Sequence, residues 1–185
     1  PAMSDDNAAV LAAAHASMLA QLRRPGACAG HPDAAGLLQT HISSLLLAGS
    51  RVFKLLRPVA LPFVDFSSID KRHAACLEAL RLNRRTAPHW YQAVLPVQDD
   101  GSGACLPAPG AMQPAGRVLD WAVQMRRFDD QQLYSRLAAQ CRLTPPQVDA
   151  LAAVVAALEG LGLHDIPVVG IAKGPDRDAG RETFF

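Results

Sequence analysis

The sequence predicts an α+β domain, on three observations. Two apolar runs of strand length, Ile42–Leu47 and Val52–Leu56, flank Ala48-Gly49-Ser50, a short glycine-containing connection of the kind that closes a hairpin. A segment from about Ile69 to Arg85 follows, with Ile69, Cys76, Leu77 and Leu80 at helical spacing and Ser67 or Ser68 as its cap. Strand patterning then resumes at Tyr91–Val97 and at Val118–Phe128, where Trp121, Val123 and Met125 alternate.

The remaining elements follow in order. Ser4, Asp5 and Asp6 start an alanine-rich helix that runs to Arg23 and Arg24, where basic side chains suit the negative end of the helix dipole, and Pro25-Gly26 ends it. Residues 25–36 read as a loop. Pro58 and Pro62 stop the second hairpin strand. Residues 98–116, rich in Gly and Pro, read as a surface loop. Asp129 or Asp130 starts a further helix carrying Leu133, Leu137 and Cys141. Thr144 caps another, with Pro145 at its permitted first position, Val148, Leu151, Val155 and Leu158 inside, and Gly160 and Gly162 ending it. Ile166–Ala172 reads as a short strand before a polar tail. The expected division is 1–30, helix and loop; 31–128, the main lobe; 129–160, two helices; and 161–185, strand and tail.

Composition narrows the function classes. Net charge is only +1, yet residues 51–91 hold eight Lys/Arg against Asp65, Asp70 and Glu78, so positive charge collects on the most patterned segment. An anionic partner follows, phosphate or nucleic acid, against a solvated helix face as the plain reading. Cys28, Cys76, Cys105 and Cys141 lie far apart with no CxxC and no histidine at ligand spacing, which speaks against a zinc site or redox motif and for reduced, structural thiols. No segment has the length and apolarity of a membrane span, so the expected setting is soluble and cytoplasmic, with no membrane partner. A Walker loop and a nucleophile elbow are both absent, and Trp90, Tyr91 and Trp121 form no RNA-recognition signature beside Arg84, Arg85, Arg126 and Arg127.

On the second hairpin strand Val52, Lys54 and Leu56 share one face. A lysine among aliphatic neighbours must reach an anion or snorkel to an edge. The run THISSLLLAGSRVFKLLRPVALPFVDFSSIDKRHAACLEALRLNRRTAPHWYQAVLPV, continued by WAVQMRRFDDQQLYSRLAAQCRLTPPQVDALAAVVA, resembles the N-terminal region of bacterial aminoglycoside-phosphotransferase-like proteins, which are often fused to a P-loop kinase domain. The likeness covers about residues 31–157 and implies the small lobe of a protein-kinase-like enzyme: a twisted antiparallel sheet, one packed helix and a hinge leading into helices.

That resemblance makes Lys54 the ligand of ATP phosphates, with Mg as companion, and sets Val123–Arg127, including Met125, near the adenine. His41, beside Thr40 and Ser43, falls near the phosphates. The helix should supply a carboxylate to orient Lys54, and Glu78 is the acid available. The family pattern carries more acids here, whereas this chain reads CLEALRLNRR, with Ala79 where a carboxylate is expected. At about 100° per residue, Glu78 points about 160° from the apolar arc and position 79 about 100° from it. No HxD with a suitable asparagine and no DFG-like element follows residue 128, so phosphoryl transfer lacks its catalytic and metal-binding carboxylates.

The final stretch, LGLHDIPVVGIAKGPDRDAGRETFF, is similar instead to a segment of the excision-repair endonuclease subunit UvrC, within its RNase H-like nuclease domain. Asp176, Arg177, Asp178 and Arg181 there read as a metal or phosphate site or, more plainly, as a solvated tail of alternating charge. Two likenesses meeting near residues 158–162 imply a fusion or a truncated or rearranged frame. The expected function is an incomplete phosphotransferase-like module that binds nucleotide or another anion without transferring phosphate by itself. The alternatives are a fragment of a DNA excision-repair nuclease and a noncatalytic interaction module.

Overall fold

The computed structural model describes residues 5–108 and 116–160. The chain divides into two compact units, residues 1–127 and 128–185. In the first unit, helix α1 (Asp5–Leu22) precedes β1 (Gly36–Gln39), β2 (Ser43–Ala48), β3 (Arg51–Leu56), a small ribbon of β4 (Ala60–Leu61) and β5 (Val64–Asp65), helix α2 (Ile69–Asn83), β6 (Tyr91–Asp99), β7 (Ala104–Cys105) and β8 (Arg117–Arg126). The main sheet is antiparallel in the order β1-β2-β3-β8-β6-β7. The last long strand thus lies in the middle, between β3 and β6.

The predicted hairpin is β2–β3. Ala48 pairs with Arg51, so Gly49-Ser50 is a two-residue turn, and Gly49 supplies the positive φ of +58° that its first central position demands. A Cβ at Gly49 would also stand 2.5 Å from His31 Nε2. The structure adds β1 within what reads as loop and polar sequence, and β7 within the expected loop 98–116. Both are edge strands, which need backbone partners more than a hydrophobic signature.

Strand alternation divides the core in two. Leu46, Phe53, Leu55 and Ala122 point to one face, where Met18, Leu19 and Leu22 of α1 cover them. Leu56 and Val123 point to the other, where Cys76 of α2 meets them together with the partly buried Trp121, Tyr91 and Met125. Phe53, Leu46 and Leu55 are fully buried, each contributing about 2–3 kcal/mol by leaving water. The resemblance to a kinase small lobe implies one packed helix. Here two helices cover the sheet, one on each face.

Helix α2 begins as predicted at Ser68, whose Oγ accepts the Lys71 amide. Its buried face differs from the expected arc. Ile69 and Leu77 are 40% and 48% exposed, whereas Arg72 is 5% exposed and Cys76 fully buried. The cause is an ion pair: Arg72 Nε donates to both carboxylate oxygens of Asp120 on β8, at 2.9 and 3.0 Å, and Nη1 donates to the Phe66 carbonyl at 2.8 Å. The arginine turns toward the sheet and rotates the helix with it. His73 stacks on Trp121 at 3.7 Å between ring centroids, adding a second link. At the far end Arg84 donates to the carbonyls of Tyr91 and Gln92, so this part of LRLNRR fastens α2 to β6.

On the opposite face, buried His15 of α1 meets Ser44 of β2 through Nε2 and Oγ at 3.1 Å. Burial first, then the charges of Arg72 and Arg57, push its pKa down to about 4.

The second unit is described through residue 160. Asp129 Oδ1 accepts the Gln131 amide, and residues Asp130–Gln132 form a 3-10 turn where the sequence predicts a helix start. Helix α3 is confined to Tyr134–Ala139. Cys141, expected within it, lies beyond its end at φ +54°, where its amide donates to Ala138 and that of Arg142 to Leu137, the paired bonds of a Schellman stop. Helix α4 (Pro145–Gly160) starts after Thr144, whose amide is accepted by Gln147 Oε1 in the return half of a capping box. The predicted strand Ile166–Ala172 and the tail lie outside the described residues.

Two outcomes follow. Asp120→Asn, which leaves the buried Arg72 guanidinium without its counter-charge, should cost about 3–5 kcal/mol in denaturant unfolding, and joint replacement by Arg72→Met and Asp120→Leu should cost far less; equal losses would remove the pair from its place in the fold. The His15 contribution is complete above its unfolded pKa of 6.5 and is lost as pH falls toward about 4, because only the unfolded ring gains a proton across that window. The stability difference between wild type and His15→Gln should therefore shrink by up to about 3 kcal/mol from pH 7 to pH 4, and a constant difference would contradict it.

Candidate functional site

Lys54 lies in the middle of β3, opposite Leu45 on β2 and Val123 on β8. Its side chain shares the face covered by α2, beside Val52 and Leu56, and is partly buried. Desolvation by these apolar neighbours lowers its pKa, while the Cys76 thiol on α2 acts in the opposite sense. Burial in turn pushes the Cys76 thiol up to about 12, so this thiol is protonated at neutral pH and is no nucleophile. A lysine in such a place holds a point charge on a rigid strand, in surroundings that strengthen its attraction for an anion.

Met125 belongs to the same neighbourhood. It pairs with Val52, which sets it on the Lys54 face of the adjacent strand and diagonal to Lys54. Tyr91 stands across from Met125 on β6, and burial raises its pKa. Lys54, Met125, Tyr91 and Trp121 thus line one side of the sheet around Cys76. His41 is placed differently. It is exposed in the turn between β1 and β2 rather than on a strand, and its carbonyl accepts from Arg57 Nη1 at 3.3 Å. Thr40 Oγ1 closes that turn by accepting the Ser43 amide at 3.0 Å.

Glu78 does not meet the expectation set for it. Its two carboxylate oxygens accept from Arg81 Nε and Nη2 at 2.8 and 2.6 Å, with the carboxylate side chain 52% exposed. That hydrogen-bonded pairing holds its pKa down. Position 78 lies on the solvent side of α2, where its spacing from the apolar arc sets it, and the face that buries Arg72 and Cys76 leaves Ala79 half-buried. Glu78 is therefore Arg81's partner, not the carboxylate that orients Lys54.

Arg72, Asp120 and His15 are buried ionisable groups that the sequence reading passed over. Asp120 carried a signal, as the single acid in an otherwise apolar strand pattern. Arg72 carried none, because hydropathy assigns an arginine to solvent. Of the four arginines considered for nucleic acid, Arg84 is spent on backbone carbonyls and Arg126 stacks over Trp90 at 5.9 Å, while Arg85 and Arg127 are exposed. Among the described residues no group of three His, Cys, Asp or Glu could hold a metal ion, and no helix is long and apolar enough to cross a membrane.

Comparison with known proteins separates two kinds of likeness. The chain is 30% identical over 135 residues to uncharacterized proteins of Mycobacterium bovis and Mycobacterium tuberculosis, a match covering 71% of this chain but 24% of each relative. The chain thus spans about a quarter of the length of these relatives. A short segment is 66% identical over 35 residues to UvrABC system protein C of Rhodospirillum rubrum, covering 19% of this chain and 6% of that protein. The same protein of Gluconobacter oxydans matches at 70% over 33 residues, or 18% and 5%. No family model and no solved structure matches.

Proposed function

We propose that the chain joins a segment of an excision-repair nuclease subunit to an α+β body that binds a phosphate-bearing ligand without transferring phosphate. The first half of this reading is supported by the 66% and 70% identities to UvrABC system protein C, high for stretches of 35 and 33 residues. Those stretches amount to 6% and 5% of the relatives, whereas cleavage by metal-bound carboxylates needs several strands to bring the ligands together. The segment contributes nucleic-acid contacts in this reading, and strand scission is not expected of it by itself. Metal-dependent nicking of DNA that disappears in Asp176→Ala would show instead that the segment is a working nuclease site.

The second half rests on one observation, the partly buried Lys54 at mid-strand on the helix-covered face. A lysine on the third strand of the sheet, followed by a helix packed on that face, matches the parts of a kinase small lobe that hold ATP phosphates. Met125 would border the base and the His41 turn would lie toward the phosphates. Glu78, engaged by Arg81, would join only after a rearrangement of α2. No catalytic-loop aspartate is recognisable in the sequence, so binding of ATP with Mg, not turnover, is the expected activity.

Calorimetry with Mg-ATP should detect binding to the wild type and none to Lys54→Met. The same variant should be more stable by about 1 kcal/mol, because it removes a charge that its surroundings disfavour. Equal or absent binding in both proteins would sink the nucleotide reading.

A further inference from the structure

At the end of the main sheet where β3 begins and β8 finishes, the first unit gathers positive charge from four elements. Arg51 on β3 stands directly opposite Arg126 on β8, and the Arg127 amide donates to the Ser50 carbonyl at 2.8 Å. Three arginines therefore meet at one end of two paired strands. The Arg126 amide donates to the Trp90 carbonyl at 2.8 Å, and its guanidinium lies over the indole, 5.9 Å from the ring centroid. Helix α2 ends beside the same place. Arg84 donates to the carbonyls of Tyr91 and Gln92 at the start of β6, and Arg85 follows it.

The charge is not absorbed by the fold. Like charges directly opposite on neighbouring strands are unfavourable, as Arg51 and Arg126 are. Among the described residues none of the five arginines forms an ion pair with a carboxylate. Arg84 is bonded to neutral carbonyls, which leave its charge in place. The acids nearest in sequence are Glu78, taken by Arg81, and Asp129 and Asp130, which follow Arg127. Counted at full charge against the five guanidiniums, these two aspartates still leave an excess of three positive charges.

Shape and exposure indicate the partner. Arg84, Arg85, Arg126 and Arg127 are exposed, Arg51 is half-buried, and Trp90 among them is 40% exposed. Guanidiniums spread around an accessible aromatic ring suit a polyanion that also offers flat apolar faces. A single strand of nucleic acid offers both, because phosphates track a basic surface while an unpaired base stacks on the aromatic side chain. In a duplex the base faces are already stacked on one another.

We propose that this end of the sheet binds single-stranded nucleic acid, with the arginines on successive phosphates and Trp90 stacked on a base. The surface uses neither Lys54 nor Met125 and does not rest on the nucleotide reading. The probe is a fluorescent dT oligonucleotide of about ten nucleotides, titrated with the full chain at several salt concentrations and followed by anisotropy. Binding should saturate, and Arg85→Gln and Arg127→Gln should each lower the slope of log affinity against log salt by about 0.7. Trp90→Ala should weaken binding about fivefold or more, while Trp90→Phe, which keeps an aromatic face, should retain most of it. Arg117→Gln is the control. It removes the same charge at the other end of β8, opposite Asp99 and about 30 Å away by the rise of a strand, and should leave the slope unchanged. Absence of saturable binding at about 50 mM salt would overturn the proposal. So would an equal effect of Arg117→Gln and Arg85→Gln, which would reduce the surface to net charge, or tighter binding of the duplex of the same sequence. Unchanged binding in both patch arginine variants would place the contacts in the C-terminal segment and overturn it as well.

Discussion

The buried contact between Arg72 and Asp120 is the constraint on which the arrangement of the first unit depends. Taking both charges out of water is costly, and an apolar pair of similar volume would serve stability as well or better. What the pair supplies is orientation. With Nε on both oxygens of Asp120 and Nη1 on the Phe66 carbonyl, Arg72 admits one rotation of α2 about its axis and one height along β8. Burial pushes the Asp120 carboxyl up while the Arg72 guanidinium and the Trp121 amide pull it down, so the contact is a balance of large opposed terms.

The rotation has consequences along the helix. Cys76 is set over Val123 and Leu56, enclosing Lys54 on the same face, while Glu78 stays on the solvent side, paired with Arg81. A kinase-like pocket asks for a carboxylate from the helix to neutralise the strand lysine. In this chain α2 offers Ala79 and a protonated thiol on that side. Burial on this face lowers the pKa of Lys54, which disfavours its charged form and is a cost to stability.

Much of the fold was legible in the sequence because it depends on near neighbours. The β2–β3 hairpin follows from two apolar runs and Gly49, the α2 start from Ser67 or Ser68, the α4 start from Thr144 and Pro145, and the alternation of Trp121, Val123 and Met125 from the pleat of β8. The errors fall where distant partners decide. β1 and β7 exist because neighbouring strands accept them, and α1 is a covering layer because Leu46, Phe53 and Leu55 need burial on a second face. Helix α3 is shortened by Asp129, which takes the Gln131 amide into a turn. For the candidate site, period-two alternation grouped Lys54 with Val52 and Leu56, and Met125 with Trp121 and Val123, and helical spacing turned Glu78 from the apolar arc, whereas the β3–β8 pairing that sets Lys54 and Met125 on one face was decided by distant partners.

By itself the sequence determined the class of the fold, the hairpin carrying Lys54, the capped helix after it and the likeness of its last residues to an excision-repair protein. These are properties of spacing, turn chemistry and local identity, all of which survive without knowledge of long-range contacts. Only the tertiary structure decided which face of α2 is buried, because that choice was made by an ion pair between residues 48 apart in sequence and against the hydropathy of the helix. The same long-range packing set His15 of α1 against Ser44 of β2, a juxtaposition that no periodicity in the chain could announce.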